Sequence, residues 1–319
     1  MAHTTSNSAN VIRQELYNAQ LQMRLEDWLV GMRLFNDRTS ELMDGDTLYI
    51  DQVGQRTTET YTEDTPINFE AVDTTRIQLQ VTEYISDGFY MTDKMKRVSW
   101  KADQLFQANV AESLRAFERQ IETDAFATCN KQVLGDPNTI NGKAHRFKIT
   151  SAANLLENFR AAKLHMDLAR VPAEGRVAFI DPSVEFELNG LFDIVAPTSG
   201  DVFNMDMEGI VTKGLGNRLN FIANIYGFNV MIAHNLPSVT SETLALYDGT
   251  SSGAATGTCN IFMSMASPDV TPFMGAIARN PEAEFRRNVN MKRDEWSATA
   301  EYGFDLQRPE SLITMVSTF

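Results

Sequence analysis

Apolar residues recur at helical spacing from about Trp100 to Gln132, with Phe106, Val110, Leu114, Phe117, Ile121 and Ala125 on one side. Lys101, Glu112, Arg115, Glu118, Arg119 and Glu122 take other positions, so the pattern predicts one amphipathic helix with a single buried stripe. At 1.5 Å per residue it would run roughly 50 Å. The segment before it, residues 46–85, reads differently. Ile77, Leu79, Val81 and Ile85 alternate with Gln78, Gln80, Thr82 and Tyr84, which is the two-residue period of a half-buried strand. Between Asp51 and Arg76 there are few large apolar residues, yet Thr, Val and Tyr are frequent, and a projecting two-stranded hairpin fits. With about ten residues per strand it would extend roughly 30 to 35 Å. Such a hairpin is marginally stable alone and is expected to lie against another subunit.

Residues 11–35 read as a helix with Leu21, Leu25, Trp28, Met32 and Phe35 on one side, behind a mobile Ser/Thr/Asn-rich tail at 1–10. Either this arm docks on its own chain or it reaches a neighbouring subunit. Beyond the turn cluster LGDPNTINGK, helices and strands alternate. SAANLLENFRAAKLHMDLA predicts a helix burying Leu155, Phe159, Ala162 and Met166. RVAFI predicts a buried strand, and Asp181 followed by Pro182 supplies a cap and first turn for another helix. Further strands are expected at 219–234, 243–247, 259–265 and 273–278, a flexible loop at 249–258, and an alternating strand in WSATAEYGFDLQRPESLITMVST before a Pro-interrupted ending. No internal repeat is present.

The chain has 319 residues and is 43% hydrophobic, enough for two domains or one domain with large excursions. No apolar run reaches the roughly 20 residues of a membrane helix, so no membrane is expected, and the polar N-terminus lacks the apolar core of a secretory signal. Cys129 and Cys259 have no metal or disulfide-framework spacing and read as buried thiols. A net charge of −14 argues against sequence-independent DNA binding, which depends on Lys and Arg; nucleic acid would be enclosed rather than gripped.

His3, His145, His165 and His234 are scattered, and no nucleophile elbow, phosphate loop or dinucleotide fingerprint occurs. The GLG at 214–216 lacks a nearby Lys, and Asp44 and Asp46 lack the rest of a calcium loop. No catalytic residue, cofactor or metal is expected. Two basic clusters stand out, Arg286, Arg287, Lys292 and Arg293, and Lys94, Lys96, Arg97 and Lys101. They read as salt-bridged surface or as contacts to phosphates or an acidic partner, and the pattern leaves both open.

The order of these segments, with the phrases VPAEGRVAFIDPS, IYGFNVMIAHNLPS and AEYGFDLQRPESLITM, resembles the major capsid proteins of tailed bacteriophages, which share the Hong Kong ninety-seven phage fold. The resemblance implies an α+β chain: an N-terminal arm at 1–45, an extended hairpin loop at 46–85, a peripheral domain at 86–149 with a spine helix at 98–132, a compact mixed α/β axial domain at 150–284, and a peripheral return at 285–319. It implies a structural protein, not an enzyme, that assembles as pentamers and hexamers into an icosahedral shell around double-stranded DNA. Trp28, Arg56, Tyr61, Phe69, Arg76, Arg286 and Arg287 are the expected subunit-interface residues. Implied partners are further copies of the chain, a separate scaffolding protein, a portal protein and a decoration protein, in a virion capsid assembled in the host cytoplasm.

Some relatives cross-link through a loop lysine, but residues 51–75 contain none, so a noncovalent clasp is expected. A wall of net negative charge would not trap the polyanion it admits. The competing expectations are an encapsulin-like compartment and, in another class, a soluble α/β enzyme built on residues 150–284.

Overall fold

The computed structural model describes residues 34–42, 45–53, 58–64, 66, 67, 69, 71, 74–99, 102–132, 139–192 and 221–318. The expected tail at 1–10, the arm helix through residue 33 with Trp28, and Arg56 lie outside the described residues, as does the GLG at 214–216. Leu34 and Phe35 form bends rather than the end of a helix and lead into a two-residue strand, β1 (Asn36–Asp37). Leu34 is buried, and the Phe35 ring stands edge-on to Phe304 with centroids 5.0 Å apart. This part of the arm therefore docks on its own chain.

The alternating segment forms the expected hairpin, β2 (Thr47–Val53) and β3 (Thr74–Gln80), antiparallel from Thr47↔Gln80 to Val53↔Thr74. The paired strands have seven residues each, shorter than expected. Their base does not depend on a neighbour: Leu79 is fully buried with Met274 and Ala276, and Leu48, Ile50 and Ile77 pack around them. Pairing stops at Gln80. Ile85 belongs to the next strand, β4 (Glu83–Thr92).

The Thr92 side chain accepts from Met95 N and caps a short helix, α1 (Asp93–Val98). The long helix follows as α2 (Ala102–Ala127), continued by a 3-10 turn over Thr128–Lys131. Phe117, Ile121 and Ala125 are buried as the period predicts, with Phe106 and Val110 packed beside them, but Leu114 is 42% exposed. The seam passes instead over buried Ser113, whose hydroxyl donates to Asp87 on β4. Glu122, assigned to the polar side, is buried.

A small hairpin, β5 (Thr139–Ile140) and β6 (Lys143–Ala144), precedes β7 (Arg146–Ile149). The next helix, α3 (Leu155–Leu168), buries Leu155, Phe159, Ala162 and Met166 as expected. RVAFI is β8 (Arg176–Ile180), buried throughout. Asp181 then accepts from Ser183 N at the start of α4 (Pro182–Phe192).

The strand segment expected at 219–234 forms a hairpin, β9 (Phe221–Ile225) and β10 (Phe228–Ile232). Tyr226 and Gly227 turn it with φ of 49° and 87°, the double positive φ that a two-residue hairpin loop needs. The remaining strands are β11 (Ser238–Ala245), β12 (Ser251–Ser264), β13 (Phe273–Asn288), β14 (Arg293–Leu306) and β15 (Leu312–Ser317). The flexible loop expected at 249–258 is thus mostly strand, paired with β11 on one side and β15 on the other. Small residues are needed there because the backbones close in: a Cβ at Gly257 would sit 1.8 Å from the Ser317 carbonyl oxygen.

Two sheets organise the chain. One has the order β11-β7-β15-β12-β8-β10-β9 and the other β1-β13-β14-β4. On one face of the larger sheet, Phe262 meets Phe159 of α3 and Phe228 edge-to-face, at 4.9 and 5.1 Å. On the other, Phe126 and Cys129 from the end of α2 pack with Phe179, Ile261, Leu312 and Val316. The smaller sheet lies under α2, burying Trp296, Ala298, Ala300 and Tyr302. Strand pairing divides the chain differently from the boundaries at 150 and 285. β7 and β15 belong to the larger sheet, held by Thr314↔Arg146 and Ile261↔Thr314, whereas β13 joins the smaller one from Phe273 onward.

Candidate intersubunit surface

The hairpin is anchored at its base and bare toward its tip. Tyr49 and Val53 of β2 are exposed, and beyond them Tyr61 is 67% and Phe69 88% exposed, with Ile67 exposed between. Exposed apolar residues clustered on one excursion mark a surface that another molecule covers. Arg76 plays a different part. Its Nε donates to Asp51 Oδ1 at 2.8 Å across the Asp51↔Arg76 pair, and its guanidinium lies 5.4 Å from the Tyr49 ring centroid. Asp51 raises the Arg76 pKa by accepting this bond. Arg76 thus braces the hairpin internally.

The two basic clusters meet at the far end of the smaller sheet. Arg287 Nη1 donates to Asp93 Oδ1 and Asp294 Oδ1, both at 2.6 Å, and Nη2 donates to Asp93 Oδ2 at 2.7 Å. Lys96 closes on the other Asp294 oxygen. The bonds from Lys96 and then Arg287 hold the Asp294 carboxyl below the usual carboxylate range, and Arg287 does the same to Asp93. Arg293 donates to Glu295 at 2.6 Å and lies 4.4 Å from the Tyr90 ring centroid. Arg286, opposite Glu295 on the next strand, remains exposed.

Lys96, Arg287 and Arg293 of these clusters are therefore salt-bridged within the chain, and Arg287 ties α1 to the β13–β14 hairpin. Around this network stand exposed Met95, Val98, Phe285, Val289 and Met291, which the sequence reading did not single out. The sequence sign was that Phe285, Val289 and Met291 share one strand face in FRRNVNM, beside the basic cluster.

Cys129 and Cys259 are both buried and free, as expected. Among the described residues no group of three or more His, Cys, Asp or Glu side chains could hold a metal ion, and no helix is long and apolar enough to cross a membrane. Arg56 and Trp28 lie outside the described residues.

A family model for phage capsid protein matches residues 74–315. Among solved structures, a chain from Mycobacterium phage Che8 is similar at 18% identity and a TM-score of 0.67, with 96% of this chain and 97% of that chain covered. The capsid of cyanophage P-SCSP1u is similar at 12% identity and a TM-score of 0.68, over 95% and 92%. The SrpI encapsulin complex of Synechococcus elongatus PCC 7942 is also similar, at 8% identity and a TM-score of 0.57, over 99% and 95%. No curated protein matches the sequence.

Proposed function

The chain belongs to the phage capsid protein family and has the tailed-phage major capsid fold, and from that premise we propose that it assembles as pentamers and hexamers into an icosahedral shell around double-stranded DNA. In this reading α2 is the spine, the smaller sheet with α2 is the peripheral domain, and the larger sheet with α3 and α4 is the axial domain. The observation that carries the reading is the hairpin: its base is buried in its own chain while Tyr61 and Phe69 stand bare. One copy's hairpin laid on the next copy makes a heterologous contact, the kind that closes rings and extends into larger assemblies. With no lysine in residues 51–75, the contact is noncovalent.

Family membership also supports a separate scaffolding protein, a portal protein and a decoration protein as partners, and assembly in the host cytoplasm ahead of incorporation into the virion. The likeness to an encapsulin keeps a protein-filled compartment as the second reading. Particles purified from an expressing host decide between them. Nuclease-resistant double-stranded DNA together with a single monomer band on a denaturing gel is the expected result; particles that hold only protein would favour the compartment, and covalent ladders would contradict the noncovalent clasp.

A further inference from the structure

We propose that Cys129 and Cys259 form a peroxide-sensitive dithiol that closes to an intrachain disulfide, fastening the end of α2 to β12. The two residues are 130 positions apart in sequence yet belong to one buried cluster, Cys129 in the turn that ends α2 and Cys259 within β12. Both sulfurs lie 3.8 Å from the same Oδ1 of Asn130 and within reach of one another, so each thiol has either Asn130 or the other sulfur as its acceptor. A charged group is built in beside them. Arg146, 2% exposed, donates from Nη1 to the Cys129 carbonyl oxygen at 3.3 Å and from Nη2 to Asn130 Oδ1 at 3.0 Å. Glu242 holds this guanidinium in place through two bonds of 2.7 Å.

An ordinary pair of core thiols needs no buried cation, and an Arg beside a thiol favours its thiolate. The pair is also asymmetric. The bond from Cys129, with Arg146 behind it, lowers the Cys259 pKa, whereas sharing its proton with Cys259 and burial raise that of Cys129. Cys259 is the attacking sulfur and Cys129 the resolving one. Both are fully buried, so the oxidant must be of water size, and hydrogen peroxide fits.

The Cys259 thiolate attacks one peroxide oxygen. An S–O bond forms, the O–O bond breaks, and the departing hydroxide takes the proton that Cys259 gave up to become water, leaving Cys259 as sulfenic acid. The Cys129 sulfur then attacks the Cys259 sulfur; the S–S bond forms, the S–O bond breaks, and the departing hydroxide leaves as water with the Cys129 proton. In sum, two thiols and one peroxide give a disulfide and two waters.

The full-length chain is treated with peroxide, quenched, unfolded without reductant, alkylated and digested. Expected are loss of both alkylation sites and a linked peptide pair containing Cys129 and Cys259, reversed by dithiothreitol. Two alkylatable thiols after treatment, or oxygen addition to either cysteine without the linked pair, would overturn the proposal. In Cys129→Ser a dimedone adduct forms at Cys259, while in Cys259→Ser Cys129 reacts roughly tenfold more slowly. Equal rates in the two variants would overturn the assignment of the attacking sulfur.

Discussion

His165 shows how a single buried side chain couples this fold to pH. It is 2% exposed, its Nδ1 donates to the Ala144 carbonyl oxygen at 2.7 Å, and the His145 ring lies 6.1 Å away. Burial pushes the His165 pKa down to about 4 and that of His145 in the same direction. In the unfolded chain both take up protons near pH 6.5, whereas the folded chain resists until about pH 4 at His165. The neutral-histidine contribution is therefore complete above pH 6.5 and lost as the pH falls toward 4. At about 1.4 kcal/mol per pKa unit, and allowing for partial solvent screening, His165 contributes on the order of 2 kcal/mol. Urea midpoints of the unassembled chain should fall between pH 7 and pH 4.5, and less steeply in His165→Gln. A midpoint that does not change over this range would show that the histidines titrate alike in both states.

At the element scale, close approach decides what the residue pattern leaves open. The long helix, the buried RVAFI strand, the Asp181–Pro182 helix start and the hairpin base were all legible, because each announces itself within a short window of sequence. The strand over Ser251–Ser264 was not: GTSSGAATGT has the composition of a loop, and the smallness of Gly257 answers to the Ser317 backbone, sixty positions further along the chain. Gly257→Ala should therefore destabilise the chain by about 1 to 3 kcal/mol through overpacking between β12 and β15, read as a lowered urea midpoint with an unchanged slope. An unchanged midpoint would mean the two strands can part at no cost. The exposed hairpin tip makes the opposite prediction. Replacing Tyr61 and Phe69 together with Ser removes no buried contact, so unfolding should move by less than about 0.5 kcal/mol. Sedimentation should nonetheless show a marked loss of particles in favour of small species. Particles formed as well as by the unaltered chain would remove these two side chains from the clasp.

Taken whole, the molecule is two sheets joined by one helix. α2 lies over the smaller sheet with its middle and packs its end against the larger one. β15 returns to the larger sheet after β14 leaves the smaller, and β1 joins β13 from the other end of the chain. Such crossings stayed out of reach of the sequence because pairing partners lie far apart in it; only the resemblance to known capsids carried the overall order. Among the expected interface residues, Tyr61 and Phe69 stand exposed, whereas Arg76 and Arg287 bind within the chain. Assembly is the central claim, and electron microscopy of the purified full-length chain, incubated under assembly conditions, tests it most directly. Icosahedral particles whose density carries residues 46–85 of one copy across the next are the predicted result. A uniformly monomeric protein, or particles in which each hairpin folds back on its own chain, would contradict it.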